Sequence, residues 1–246
     1  MLFEAEVFYS AVPREKHGEG ALHGGTSTGT RGGLCREPSD RDAFSSQRGG
    51  TDDHDGSSDR EKVMLDAGHG GSDTGASNAA YNLKEKDQNL DVAYKLKALL
   101  EAPGATVYMT RTGDQTLSNN DRYVFANTTG ANVLVSIHMN GSTNPDTDYT
   151  TTLYGKWQKD KELALRVFDG LRTLPAATGT SLIATRTPYQ YASGVLLKSN
   201  MPATIAETVF ITNRDEGRLL SEVVGARQQQ IAEALKVGIE DYFRTQ

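Results

Sequence analysis

Two histidines and two glutamates carry the chemistry open to this chain. Of its five histidines, His17, His23 and His54 fall in a glycine- and serine-rich N-terminal stretch. The other two, His69 and His138, close strand-like runs, VMLDAGH and VLVSIH. A neutral imidazole at a strand end can offer one ring nitrogen to a metal ion, or it can be a hydrogen-bonded structural group. Hydrolytic zinc sites commonly combine two histidines with one carboxylate and leave the fourth position for water. Glu85, in LKEKDQNL, is a candidate for that carboxylate, although between Lys84 and Lys86 it also reads as a solvated charge. Glu207 stands inside MPATIAETVFITN, a nearly continuous apolar run. A carboxylate there is costly unless it is bonded, paired or functional. Burial would raise its pKa toward the range of a general base. The alternative is an ion pair with a buried arginine such as Arg111 or Arg122.

Other chemistries find less support. The GHGG stretch lacks the lysine and hydroxyl residue of a phosphate loop and is not a dinucleotide fingerprint. No GxSxG elbow occurs, and the single cysteine, Cys35, lies in the N-terminal stretch and leaves no intrachain disulfide. A net charge of −6 argues against nucleic acid as the main partner. Two RGG triplets, at Arg31 and Arg48, sit in an acidic context and read as solvated linker rather than RNA contacts. No apolar run is long enough to span a membrane. The N-terminal residues, interrupted by Glu4 and Glu6, do not read as a secretion signal.

These residues need elements to position them. Residues 1–60 hold 10 of the 25 glycines and show no hydrophobic periodicity after about Val12. They cannot bury enough apolar surface to offset their ordering entropy, so a disordered tail is predicted over 1–60, with one folded domain over 61–246. Val63–Ala67 reads as a strand. Asp87 is a plausible N-cap for a helix to about Leu100. Thr106–Thr110 alternates as a strand does, and Ser118–Ala126 reads as a short helix burying Leu117, Val124 and Phe125. Val133–His138 is a buried-type strand, and Lys161–Leu174 is helical. Val195–Lys198 and Ala203–Phe210 read as strands, and Val223–Phe243 as a closing helix. Strands alternating with helices predict an α/β fold, a mostly parallel sheet with helices on both faces, and a site where strands end.

Six sequence pieces, in order, resemble the zinc-dependent N-acetylmuramoyl-L-alanine amidases of sporulation, cell division and phage lysis. They are DAGHGGSDTGA (Asp66–Ala76), EKDQNL (Glu85–Leu90), TRTGD (Thr110–Asp114), NDRYVFAN (Asn120–Asn127), SIHMN (Ser136–Asn140) and MPATIAETVFITNRDE (Met201–Glu216). The resemblance covers about Lys62 to Phe243 and implies a twisted mixed sheet flanked by helices. It implies that His69, Glu85 and His138 bind one zinc ion and that Glu207 is the catalytic base and acid. The reaction implied is hydrolysis of the amide between N-acetylmuramic acid and L-alanine in peptidoglycan by zinc-activated water. Arg111 and Arg122 match family arginines, and structural ion pairs near the site are expected of them.

Two positions depart from the family pattern. Val209 stands where glycine is common, and Met139 replaces a small residue. Some division amidases carry a long inserted helix that plugs the zinc site. About twenty residues separate Asn140 from Lys161, which predicts no plug here. An extracytoplasmic location follows from the substrate alone, and a monomer is the default. A zinc peptidase acting on another bond, or a wall-binding protein without turnover, are the alternatives.

Overall fold

Apolar runs and turn residues make the elements, and the sheet assembles them. The computed structural model describes residues 61–222 and 225–246. The disorder expected of 1–60, and the start expected for the closing helix at Val223, lie outside the described residues. In chain order the elements are β1 (Lys62–Ala67), β2 (Ser77–Asn78), β3 (Leu83–Lys84), α1 (Glu85–Glu101), β4 (Thr106–Met109), α2 (Asn119–Thr128) and β5 (Val133–Asn140). They continue with β6 (Thr151–Tyr154), α3 (Trp157–Leu171), β7 (Tyr189–Gln190), α4 (Gly194–Lys198), β8 (Ala203–Phe210), α5 (Arg214–Glu222) and α6 (Ala226–Arg244).

The main sheet has the order β4-β1-β5-β8-β6-β7. Strands β4, β1, β5 and β8 are parallel, β6 runs antiparallel to β8, and β7 is parallel to β6. Parallel central strands need cover on both faces, and their sequences are accordingly apolar throughout. Val63, Leu65, Val133, Val135 and Ile137 face one way and pack with Leu96, Val167, Leu235 and Ile239 of α1, α3 and α6. Met64, Leu134, Ala203 and Ile205 face the other way, against Ala126 of α2 and Leu196 of α4. The α/β sheet with helices on both faces is therefore as expected. The parallel strands also bring the ends of β1, β5 and β8, with His69, His138 and Glu207, to one edge.

Several local expectations are corrected. Helix α1 starts at Glu85, and Asp87 is not its cap; Lys84 holds the N-cap position with no side-chain cap. Its first amides are met instead by the loop before it, with Glu85 N–H donating to Ala76 O and Lys86 N–H to Thr74 O. In α2, Ser118 and Asp121 form a capping box, but Val124 and Phe125 are exposed and the buried residues are Arg122 and Ala126. The helix turns Arg122 and Ala126 toward the sheet, and not Val124 and Phe125. Val195–Lys198 is the short helix α4, because a four-residue apolar run carries no decisive period; Val195 and Leu196 pack beneath the sheet in either form. Strand β5 continues past His138 to Asn140. Strands β6 and β7 and helix α5 had no clear sequence signal. Helix α5 is started by Asn213, whose side-chain oxygen accepts from Asp215 N–H and Glu216 N–H.

Helices α3 and α6 touch backbone to backbone through paired glycines. A Cβ on Gly170 would lie 2.2 Å from Ala234 O, and one on Gly238 would lie 2.5 Å from Arg166 O. We expect Gly238→Ala to cost about 1–3 kcal/mol through overpacking, lowering Tm in a thermal melt by several degrees. An unchanged Tm would mean that the helices separate at no cost.

Candidate metal centre and active site

The site is built on a turn that no ordinary sequence would hold. After β1 the backbone reverses through Gly68, His69 and Gly70, and His69 takes a left-handed φ of 60°. A non-glycine residue there is strained, by roughly 1–2 kcal/mol. Two arginines hold the turn. Arg111 donates to Ala67 O at 2.9 Å, Gly68 O at 3.0 Å and Lys86 O at 2.7 Å. Arg122 donates to Ala67 O at 2.9 Å and His69 O at 2.9 Å, and to Asp66 Oδ1 at 2.7 Å. Asp66 is fully buried. Burial would raise its pKa, but Arg122 and hydrogen bonds from Ser136 and Thr110 more than offset this and keep it charged. The expected ion pair therefore exists for Arg122. Arg111 makes backbone hydrogen bonds instead, and neither arginine is spent on Glu207.

The turn aims His69 at Glu85. His69 Nε2 lies 3.1 Å from Glu85 Oε1, and His138 Nδ1 lies 3.0 Å from the same oxygen. The two imidazoles meet edge to face with centroids 4.8 Å apart. Glu85 is buried at the first turn of α1, where the helix N-terminus favours negative charge. Its Oε1 also accepts from Met139 N–H at 3.1 Å and Asn89 Nδ2 at 3.2 Å, while Oε2 accepts from Ala76 N–H at 2.8 Å. On the far side of His69, Nδ1 meets Asp73 Oδ2 at 2.9 Å, which fixes the ring so that Nε2 faces inward. Asp73 and Asn89 were not singled out from the sequence. Their signal was their place four residues after His69 and Glu85, inside pieces already noted.

His69, Glu85 and His138 each offer one ligand atom within 4.8 Å of the others. Two imidazole nitrogens and one carboxylate oxygen form a donor set suited to a zinc-like divalent ion. The packing leaves no slack: a Cβ on Gly68 would lie 2.3 Å from His138 Cε1. In the absence of a metal, burial lowers the His69 pKa, but Glu85 and Asp73 lift it to about 9. His138 is likewise raised, by Glu85 and Glu207 against the effect of burial. The cluster is thus built to hold positive charge, carried by protons when no ion is bound.

Glu207 lies beside this cluster. It pairs with His138 across β5 and β8. One residue later β8 takes an extra residue, since His138 faces Glu207 whereas Asn140 faces Phe210. The irregularity turns Val209 into the core on the α1, α3 and α6 side, where it is fully buried with Met139. Of the two departures, Met139 touches Glu85 through its backbone N–H, a contact that does not depend on the side chain. Burial raises Glu207 to about 7; His138 acts to lower it and Glu85 to raise it.

Sequence and fold place the chain among known amidases. A family profile described as N-acetylmuramoyl-L-alanine amidase matches residues 63–241. The chain belongs to this family. It is 32% identical over 221 residues to N-acetylmuramoyl-L-alanine amidase AmiA of Salmonella typhimurium, covering 74% of this chain and 75% of that protein. It is 36% identical over 183 residues to "Probable cell wall amidase LytH" of Staphylococcus saprophyticus, covering 74% of this chain and 58% of that one. Among solved structures, an N-acetylmuramoyl-L-alanine amidase from Clostridium difficile superposes with a TM-score of 0.67 at 33% identity, over 76% of this chain and 98% of that one. AmiC2 of Nostoc punctiforme gives 0.66 at 32%, over 75% and 97%. Like its relatives, the chain is an amidase. The AmiA alignment needs 221 positions where the LytH alignment needs 183 for the same share of this chain, so AmiA carries tens of residues without a counterpart here. In this protein, β5 and α3 are joined only by a loop and β6, and no helix is inserted between them.

Metal uptake must displace protons. Because His69 holds its proton up to about pH 9, affinity for a divalent ion should rise as pH increases from 6 to 9, with net proton release at pH 7. Titration calorimetry in buffers of different ionisation enthalpy measures this release. Heats independent of buffer would contradict the charge state described.

Proposed function

We propose that this amidase hydrolyses the amide between N-acetylmuramic acid and L-alanine in peptidoglycan, with zinc held by His69, Glu85 and His138 and Glu207 as base and acid. The observation that carries the reading is the pairing of Glu207 with His138 across adjacent strands, which sets a titratable carboxylate beside a two-histidine, one-carboxylate donor set. Zinc supplies Lewis acidity, acidifying a water and polarising the scissile carbonyl.

Glu207 does the proton work. Its pKa near 7 lets it exist as the base at neutral pH and still hold the proton it gains. As water attacks the lactyl carbonyl carbon, Glu207 takes a proton from it. It then passes that proton to the departing L-alanine nitrogen, which would otherwise leave as a poor amide anion. One carboxyl suffices because the proton gained is the proton given. Glu85 stays ionised throughout: burial opposes this, but both histidines lower its pKa strongly. Asp73 and Asn89 keep His69 and Glu85 in register. Arg111 and Arg122 are positioning residues that act through the turn.

The names of AmiA and LytH support a wall substrate and action outside the cytoplasm for this chain as well. Among the described residues no helix is long and apolar enough to cross a membrane. The catalytic unit is residues 61–246, in accord with the match over 63–241, and it acts as a monomer.

Two measurements test this reading. Glu207→Gln should retain stoichiometric zinc by metal analysis while release of L-alanine amino termini from purified peptidoglycan falls by about 10²-fold or more. Near wild-type turnover would remove Glu207 from the role. Deletion of residues 1–60 should leave zinc content and specific activity on soluble muropeptides intact. A large loss of either would make those residues part of the catalytic unit.

A further inference from the structure

Strand register sets Glu207 between two neighbours. On β5 it faces His138, and on β6 it faces Thr151. Residues directly opposite on adjacent strands share a face of the sheet. That face is the one turned toward α2 and α4: Leu153 pairs with Ile205 in the same cluster, and these lie two residues from Thr151 and Glu207. His138, Glu207 and Thr151 therefore form a row across three strands, with the carboxylate in the middle.

The two sides of Glu207 supply different things. On the His138 side lies the two-histidine, one-carboxylate donor set. On the other side Thr151 is buried, and its hydroxyl has no hydrogen-bond partner among the described residues. The other buried threonines on or beside β6 and β8 all donate to main-chain carbonyls. Thr150 donates to Glu207 O at 3.2 Å, Thr152 to Ala164 O at 2.8 Å, Thr204 to Leu153 O at 2.9 Å and Thr208 to His138 O at 3.0 Å. A buried hydroxyl left unpaired is costly, and valine would fill the same branched shape without it. What acts on the Glu207 carboxylate is burial and the charges of His138, Glu85 and His69, with no hydrogen bond among them. An unspent donor thus stands opposite the proposed base.

We infer that Thr151 is a positioning residue for the reaction: its hydroxyl donates to the Glu207 oxygen farther from His138 and leaves the nearer oxygen free to take and return the proton. This rests on the role proposed for Glu207. The reach fits. Opposed Cβ atoms in an antiparallel pair lie about 5 Å apart. Threonine carries its oxygen one bond beyond Cβ and glutamate carries its oxygens three bonds beyond, so side-chain rotation closes a hydrogen bond of about 2.7 Å with both strands in place. A hydroxyl bonded to a carboxylate makes one of the stronger hydrogen bonds available to a neutral side chain. It holds the base in the rotamer that faces the attacking water, and a base already oriented loses less entropy on the way to the transition state. Threonine keeps its own proton throughout; the proton that travels is the one Glu207 takes from water.

The test compares Thr151→Val and Thr151→Ser in the full-length, zinc-loaded protein, with a soluble muropeptide as substrate. Thr151→Val keeps the branched shape and removes the donor. Its kcat should fall by about ten- to a hundredfold, with KM and zinc content unchanged and Tm equal to or above that of the wild type. Thr151→Ser should recover most of the loss in kcat. Added to Glu207→Gln, Thr151→Val should cost no more than about twofold further, because the hydroxyl acts through that carboxylate. A kcat for Thr151→Val close to that of the wild type, or an equal fold-loss in the two backgrounds, would overturn the inference while leaving the amidase reading intact. A lower Tm together with lost zinc in Thr151→Val would overturn it too, by making the hydroxyl structural. Near wild-type turnover in Glu207→Gln would overturn both readings.

Discussion

Three inward-facing carbonyls, those of Ala67, Gly68 and His69, set the terms for this site. A buried carbonyl without a donor is costly, and the turn that aims His69 buries those of Ala67 and Gly68 and partly buries that of His69. Arg111 and Arg122 supply the donors. Arg122 brings a charge into the core, so Asp66 must be there to meet it, and Ser136 and Thr110 must satisfy Asp66. Breaking such a buried pair by removing one partner costs about 3–5 kcal/mol. The pieces TRTGD and NDR, both remote from the turn in the chain, supply the arginines that hold it. Asp114 of the first also accepts from Gly71 N–H and pairs with Lys86, pinning the glycine loop from its other side.

Glu85 is the second constraint, because one oxygen serves two histidines. That arrangement favours positive charge beside the carboxylate, supplied by a protonated imidazole or by a bound cation. Its second oxygen is tied to Ala76 N–H, and the amides of Glu85 and Lys86 are tied to the same loop. Helix α1 therefore cannot shift without moving a candidate ligand. The absence of a side-chain cap on α1 follows from this, since the loop meets those amides directly.

Much of this was legible in the chain. The runs around β1, β5 and β8 are apolar on both faces, which only a covered parallel sheet explains, and parallel order puts His69, His138 and Glu207 at one edge. The weak points were short segments: a four-residue run such as Val195–Lys198 has no period to distinguish helix from strand. Val124 and Phe125 looked like core residues because their hydrophobicity was visible, while the packing that turned Arg122 inward was not.

What the sequence determined by itself was the inventory: two histidines outside the N-terminal stretch, a carboxylate in an apolar strand, and the order of the pieces around them. Residue type and alternation suffice for that, because burial of a charged group in a strand must have a reason. What only the tertiary structure decided was the wiring. The carbonyls held by Arg111 and the meeting of His69 and His138 on one oxygen of Glu85 depend on contacts between distant segments. Hydrogen bonds of this kind are specified by register and backbone turn, through the extra residue in β8 and the left-handed His69, and neither leaves a periodic trace in the chain.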